Sequence, residues 1–286
     1  MSIALDRSQL VFQKTERALR KLSSEQNAES VHSFRTTSRR LQTLLEQLVP
    51  DDNRNQQKLL KMLNRLRRRA GKVRDLDVQL TALRSLKVPQ EPRRKTQLMQ
   101  GLIELRVKHE KKLRKMLTKD MFREIRRRLK RASKEIRLET SRDALTVARS
   151  LLNETVGPAG PVSEELLHQY RTVVKRARYA AEFAPKSAEV SQFISQVKRL
   201  QDAVGNWHDW LTLTQTAAKR LGDVSQSSLV AALHNVTDSK FRHAVAALSA
   251  SRTTHNVLRP VAIASEQSRR MSTNSPTFVE RIESAA

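Results

Sequence analysis

The sequence predicts an all-α protein built from a duplicated helical unit, and three observations carry that prediction. Leu, Arg, Lys, Gln, Glu and Ala dominate nearly every segment, and no run of alternating β-branched residues is long enough to require a strand. Apolar residues recur at helical spacing opposite polar ones. Two motifs recur, in the same order, in both halves of the chain.

The first clear element is VHSFRTTSRRLQTLLEQL, residues 31–48. With His32 at zero degrees on a 3.6-residue period, Arg35, Thr36, Arg39 and Thr43 lie within about 60 degrees of it. Phe34, Leu41, Leu45 and Leu48 fall on the opposite side. This is an amphipathic helix that buries one stripe and leaves a basic face free. Pro50 with Asp51, Asp52 and Asn53 closes it. On the next helix Lys61, Arg65, Arg68 and Lys72 form a cationic stripe opposite Leu63, Leu66, Ala70 and Val73. KVPQEP at 87–92 ends that element. Residues 106–137 hold 15 Lys and Arg against four acids, with Leu113, Leu117, Ile125, Leu129 and Ile136 as the buried stripe. VGPAGPVSEE at 156–165 separates the halves, with Ser163 as an N-cap before the acidic first turn Glu164, Glu165. Pro185 ends the helix that follows, and from about Ser265 the composition turns to Ser, Thr, Asn and Pro, so residues 263–286 are expected to be a disordered tail.

The repeat is the strongest signal. VHSFRTTSRRLQTLLEQ (31–47) aligns without gaps on LHQYRTVVKRARYAAEF (167–183), with His32/His168, Arg35/Arg171, Thr36/Thr172, Arg40/Arg176 and Glu46/Glu182 identical. LNRLRRRAGKVRDLD (63–77) matches VKRLQDAVGNWHDWL (197–211) through Arg65/Arg199, Leu66/Leu200, Gly71/Gly205 and Asp75/Asp209. The offsets are 136 residues (32 to 168) and 134 residues (65 to 199) in a chain of 286. They imply two packed bundles in a pseudo-twofold relation, with a first repeat over about 5–155 and a second over about 162–262.

Charge selects the class of partner. The 55 Lys and Arg exceed the 29 Asp and Glu, for a net charge of +26. That is far more than solubility requires, and like charge repels itself, so a polyanionic partner is expected. With no cysteine, disulfides, thiolate metal sites and cysteine nucleophiles are excluded. No glycine-rich phosphate loop occurs, and aromatics at 4% are too few for base-stacking platforms. No apolar run approaches a membrane span and the N-terminus lacks the pattern of a signal peptide, so a soluble cytoplasmic protein is expected.

HxxRxxxRR with an apolar-rich helix, LxxxxxxxRDLD, HxxRxxxKRxRYxxE and LQDxxGxxxD, taken in order over residues 5 to 260, resemble the CHAD family, the conserved histidine α-helical domain. The resemblance implies two four-helix bundles whose basic faces line a shared central groove or channel that binds inorganic polyphosphate. In the second half Asp202 and Asn206 stand where Arg68 and Lys72 stand in the first, and His208 where Arg74 stands. The second bundle is therefore expected to grip less strongly.

The residues argue toward the same partner independently. Cations one helical turn apart stand about 5 Å from each other, a ladder suited to a linear anion, and Arg forks bind phosphate oxygens bidentately. The expected polyphosphate ligands are His32, Arg35, Arg39, Arg40, Arg65, Arg68 and Lys72 from the first half. From the second half they are His168, Arg171, Lys175, Arg176, Arg178, Lys198 and Arg199. Near phosphate the histidines are favoured in their charged form, so affinity is expected to rise as pH falls through their range. Glu46 and Glu182 share these faces and are expected to hold cations in place.

No catalytic residue, cofactor or metal is expected, although a divalent ion can accompany the ligand. Asp75 and Asp77, two residues apart, do not share a helix face, and the His-Asp step at 208–209 is not preserved in the other copy, where Arg74 precedes Asp75. Phosphohydrolase and histidine phosphotransfer readings are therefore weaker, and the main alternative is a nucleic-acid-associated basic protein. For the 106–137 segment a second binding surface, a channel wall and a solvated face stand equal. Association with polyphosphate granules follows if the ligand is polyphosphate.

Overall fold

The computed structural model describes residues 5–49, 53–136, 143–154, 162–221 and 227–257. All regular structure among these residues is helical: α1 (Leu5–Ser24), α2 (Ala28–Thr43), α3 (Arg54–Ser85), α4 (Pro92–Met116), α5 (Lys119–Glu135), α6 (Ala144–Asn153), α7 (Glu164–Ala181), α8 (Ala188–Leu221) and α9 (Ser228–Val257). The chain divides into a compact unit of residues 1–248 and a second unit of 249–286. The expected tail at 263–286 lies outside the described residues.

Local sequence explains the boundaries. The Asn27 side chain accepts from Ser30 N, Asn53 from Asn55 N and Gln56 N, Thr118 from Met121 N, and Ser163 from Leu166 N, each satisfying orphan amides of a first turn. Pro92, part of a sequence expected to end a helix, occupies the first turn of α4, where its missing N–H costs nothing. The described part of the 106–137 segment belongs to two helices broken at Leu117 and Thr118, not one. Leu113, Ile125 and Leu129 are buried, while Leu117 and Ile136 pack at the edge of the core. The last turn of α2 widens into a π-helical turn, Leu44–Leu48.

Helices α1, α2, α3 and α5 close a ring in which each packs on the next. On the other side α6 packs on α7 and α7 on α8. By contact α6 therefore joins the later helices, although the repeat comparison places it at the end of the first half. The larger core runs from Phe12, Phe34 and Leu63 to Tyr170 and Trp207. A second core joins Leu80 and Leu83 of α3, Leu98 and Leu102 of α4, Leu213 and Ala217 of α8, and Leu229 and Leu233 of α9. Neither core is confined to one half of the chain, because α3 and α8 are long enough to enter both.

Candidate anion-binding site

α2 packs on α7 and α3 on α8, so both copies of each recurring motif come together. Arg35 is central to the result. Its side chain is only 13% exposed and lies 3.8 Å from Asp75. Its Nη1 donates to the Arg67 carbonyl at 3.2 Å. It passes over Gly71, where an added Cβ would fall on Arg35 Nη1. Gly205, the matching glycine, has open space around its Cβ direction, so the recurring residue serves this packing role in one copy only.

Around Arg35 the positive charges crowd. Burial, and then Arg39, push its pKa down to about 10 against the pull of Asp75. Arg67 is pushed down to about 10 by burial and by Arg39 and Arg35. Its guanidinium donates to the Ser38 carbonyl at 3.3 Å and also to Gln42 and Asn64. Glu46 accepts from Gln42 Nε2 at 2.7 Å and so steadies the group that holds Arg67.

From α7, Arg171 is lowered by burial despite Asp209, with Arg39 adding to the effect. Lys175 is the most perturbed cation: burial, Arg171, Arg39 and Arg35 bring it down to about 7, with only Asp209 opposing. Asp209 is raised by burial in spite of Arg171 and Lys175. A lysine that titrates near neutrality marks a place where positive charge is assembled without enough negative charge to match it.

Both histidines stand next to this cluster. His32 is solvent-accessible, and partial desolvation with Arg74, Arg35, Arg39 and Arg40 holds its pKa below the usual value. The His168 ring tilts against the buried Trp207 with centroids 4.9 Å apart, and meets His208 edge-on at 5.1 Å. His208 is driven down to about 3 by burial, Arg171, His168 and Lys175, so it is neutral, and its Nδ1 is buried without a partner.

The other predicted residues separate into groups. Arg40 donates from Nε to Glu182 at 2.6 Å, and Arg178 does so at 3.2 Å. Both guanidinium groups also lie over the Tyr179 ring. Glu182 thus joins α7 to α2, and its hydrogen bond and charge raise the Arg40 pKa above its usual value in spite of burial. Arg65, Arg68 and Lys72 form an exposed stripe on α3, Lys198 and Arg199 are exposed on α8, and Arg176 is half-buried on α7. Thr43, assigned to the cationic face by helical periodicity, is buried. Asp75 faces Arg35, while Asp77 accepts from Arg106 of α4 at 2.8 Å, so the two carboxylates serve different contacts.

Arg67, Arg74 and Asp209 were missed by sequence reasoning as members of the cluster. The available signal was Gly71: Arg67 and Arg74 flank it by one helical turn, and a small residue between cations marks the close approach of another side chain. Among the described residues no group of three or more His, Cys, Asp or Glu is placed to hold a metal ion. No described helix is long and apolar enough to cross a membrane.

The model of the CHAD domain matches residues 4–218, three-quarters of the sequence, ending before α9. The chain belongs to the CHAD domain family. This CHAD chain is similar in fold to PptA from Streptomyces chartreusis, with a TM-score of 0.66 at 16% identity over 89% of this chain and 100% of that one. It is also similar to the CHAD domain from the plant Ricinus communis, with a TM-score of 0.59 at 16% identity over 96% and 94% of the two chains. No curated protein matches it. At these identities the neighbours share the helical fold with this CHAD chain.

Proposed function

We propose that this CHAD protein binds inorganic polyphosphate, without catalysing its turnover, on the face where α2 meets α7. One observation carries the reading: in a half-buried cluster with few acids, Arg35 from one motif copy and Arg171 and Lys175 from the other each hold their protons less tightly than usual, through burial and through the positive charge gathered there, Arg39 adding to all three. A polyanion relieves that repulsion, and a chain with phosphates at short intervals meets cations from both helices at once. Membership of a family related to polyphosphate-associated proteins supports the same ligand. His32 and His168 act at the margin as hydrogen-bond donors.

The test offers purified protein long polyphosphate, double-stranded DNA and tripolyphosphate at equal phosphate and near-physiological salt. Long polyphosphate is expected to outcompete DNA, and to outcompete tripolyphosphate by more, since each added contact is effectively intramolecular. DNA binding as tight as polyphosphate binding overturns the reading in favour of a nucleic-acid partner.

A further inference from the structure

A cavity of about 560 Å³ opens between the start of α3 and the outer part of α5. It lies well away from the α2 and α7 cluster: residue 55 and residue 71 sit on the same helix, about 24 Å apart along its axis. Its floor is the Asn55 and Arg128 pair, in which Arg128 Nη1 donates to Asn55 Oδ1 at 3.2 Å and Asn55 Nδ2 returns a bond to the Arg128 carbonyl at 3.3 Å. The Arg128 side chain is 15% exposed, and its Nε is buried with no partner.

The walls carry Arg54 and Lys58 from α3 and Arg127 and Arg131 from α5. The acids nearby do not balance them. Glu124 is shared by Arg127 at 2.8 Å and Arg128 at 2.6 Å, and Glu135 serves Arg131 at 2.6 Å. Arg54 and Lys58 make no ion pair among the described residues, and among these residues the five cations around the concavity exceed the two acids that pair with them by three. Its size falls in the range of small-ligand sites, about 300–1,000 Å³. No aromatic or large apolar residue lines it, which leaves nothing to stack on a base or to shield a lipid chain.

We infer that this cavity is a second, separate anion site that takes a compact oligophosphate. Three guanidinium groups on one side and Lys58 with Arg54 on the other match the several closely spaced oxygens of such a ligand, and the guanidinium forks bind them bidentately. A long polyphosphate chain gains little here, because the cations converge on a concavity and do not extend along a track. The inference concerns the basic 106–137 segment and does not depend on what occupies the α2 and α7 face.

The test is acylation footprinting of the full-length protein, reading Lys58 by mass spectrometry during titration with tripolyphosphate or with sulfate at matched ionic strength. Tripolyphosphate is expected to protect Lys58 at a concentration about tenfold lower than sulfate. That protection is expected to persist in Arg171→Ala, which alters only the other face, and to weaken about fivefold in Arg54→Ala/Arg131→Ala. Equal protection by sulfate overturns the inference, as does a double variant with the wild-type protection curve. If the double variant loses its helical circular dichroism, Arg131→Gln decides the matter with an expected shift of about threefold, and no shift again overturns the site.

Discussion

Lys175 gives the sharpest quantitative test of the proposed polyphosphate site. In the free protein its pKa is pushed down to about 7 by burial and by Arg171, Arg39 and Arg35, with Asp209 as the opposing carboxylate. A bound polyanion reverses the balance and returns the ammonium toward its ordinary value of about 10.4. The bound state then holds more protons than the free state, so affinity must rise as pH falls. Between pH 9 and pH 7 the expected gain is about fifty-fold, approaching one proton taken up per binding event at the alkaline end. His208, driven down to about 3, stays neutral in this window, and internal phosphates of a long chain stay ionised.

Isothermal titration calorimetry in two buffers of different ionisation enthalpy reads the proton uptake directly, alongside the affinity. Lys175→Arg keeps the charge but removes the titration, since buried guanidinium groups beside it remain protonated even when pushed down to about 10. Its affinity is expected to be nearly flat from pH 7 to pH 9. If the arginine variant retains the wild-type slope and proton uptake, Lys175 does not meet the ligand and the central cluster is not the site.

Other outcomes follow from the same geometry. Lys175→Met is expected to stabilise the unliganded protein by about 1–4 kcal/mol in urea denaturation, because it removes a poorly compensated buried charge, while weakening polyphosphate binding. Glu182→Gln is expected to destabilise the fold by about 1–3 kcal/mol in the same assay, since it leaves Arg40 and Arg178 without their carboxylate. Gly71→Ala is expected to preserve the helical circular dichroism yet weaken polyphosphate binding by displacing Arg35, whereas Gly205→Ala, with open space around it, is expected to stabilise by about 0.5–1 kcal/mol and leave binding unchanged. If Arg35, Arg39, Arg171 and Lys175 each neutralise one phosphate, log affinity plotted against log salt is expected to fall with a slope of about −3 to −4, and a flat plot would contradict a charge-lined site.

Helices were legible in the sequence because helix formation is written locally. Asn27, Asn53 and Ser163 cap the amides that follow them, and Phe34, Leu41, Leu63 and Leu66 repeat at the spacing that buries one side. The basic faces of residues 31–48 and 167–184, and the matching order of His, Arg and Asp in the two halves, were legible for the same reason. Periodicity reports which side chains share a face, and composition reports an excess of positive charge from which an anionic partner is expected.

Which cations act together was decided by tertiary packing, because electrostatic coupling depends on distance between helices and on exclusion of water. Arg65, Arg68 and Lys72 look as regular in the sequence as Arg35 and Arg39, yet they face solvent, while Arg67 and Arg74 on another face of the same helix meet α2. Arg40 and Arg178 share Glu182, brought across from the other half or from the next turn, a contact that periodicity does not show. Nothing in the sequence marks Lys175 as a group that titrates near neutrality; it does so because an ammonium enclosed by three arginines releases its proton far more readily than one in water. No one-dimensional pattern contains that enclosure. It exists only where α2 and α7 close on each other and remove the solvent between their charges.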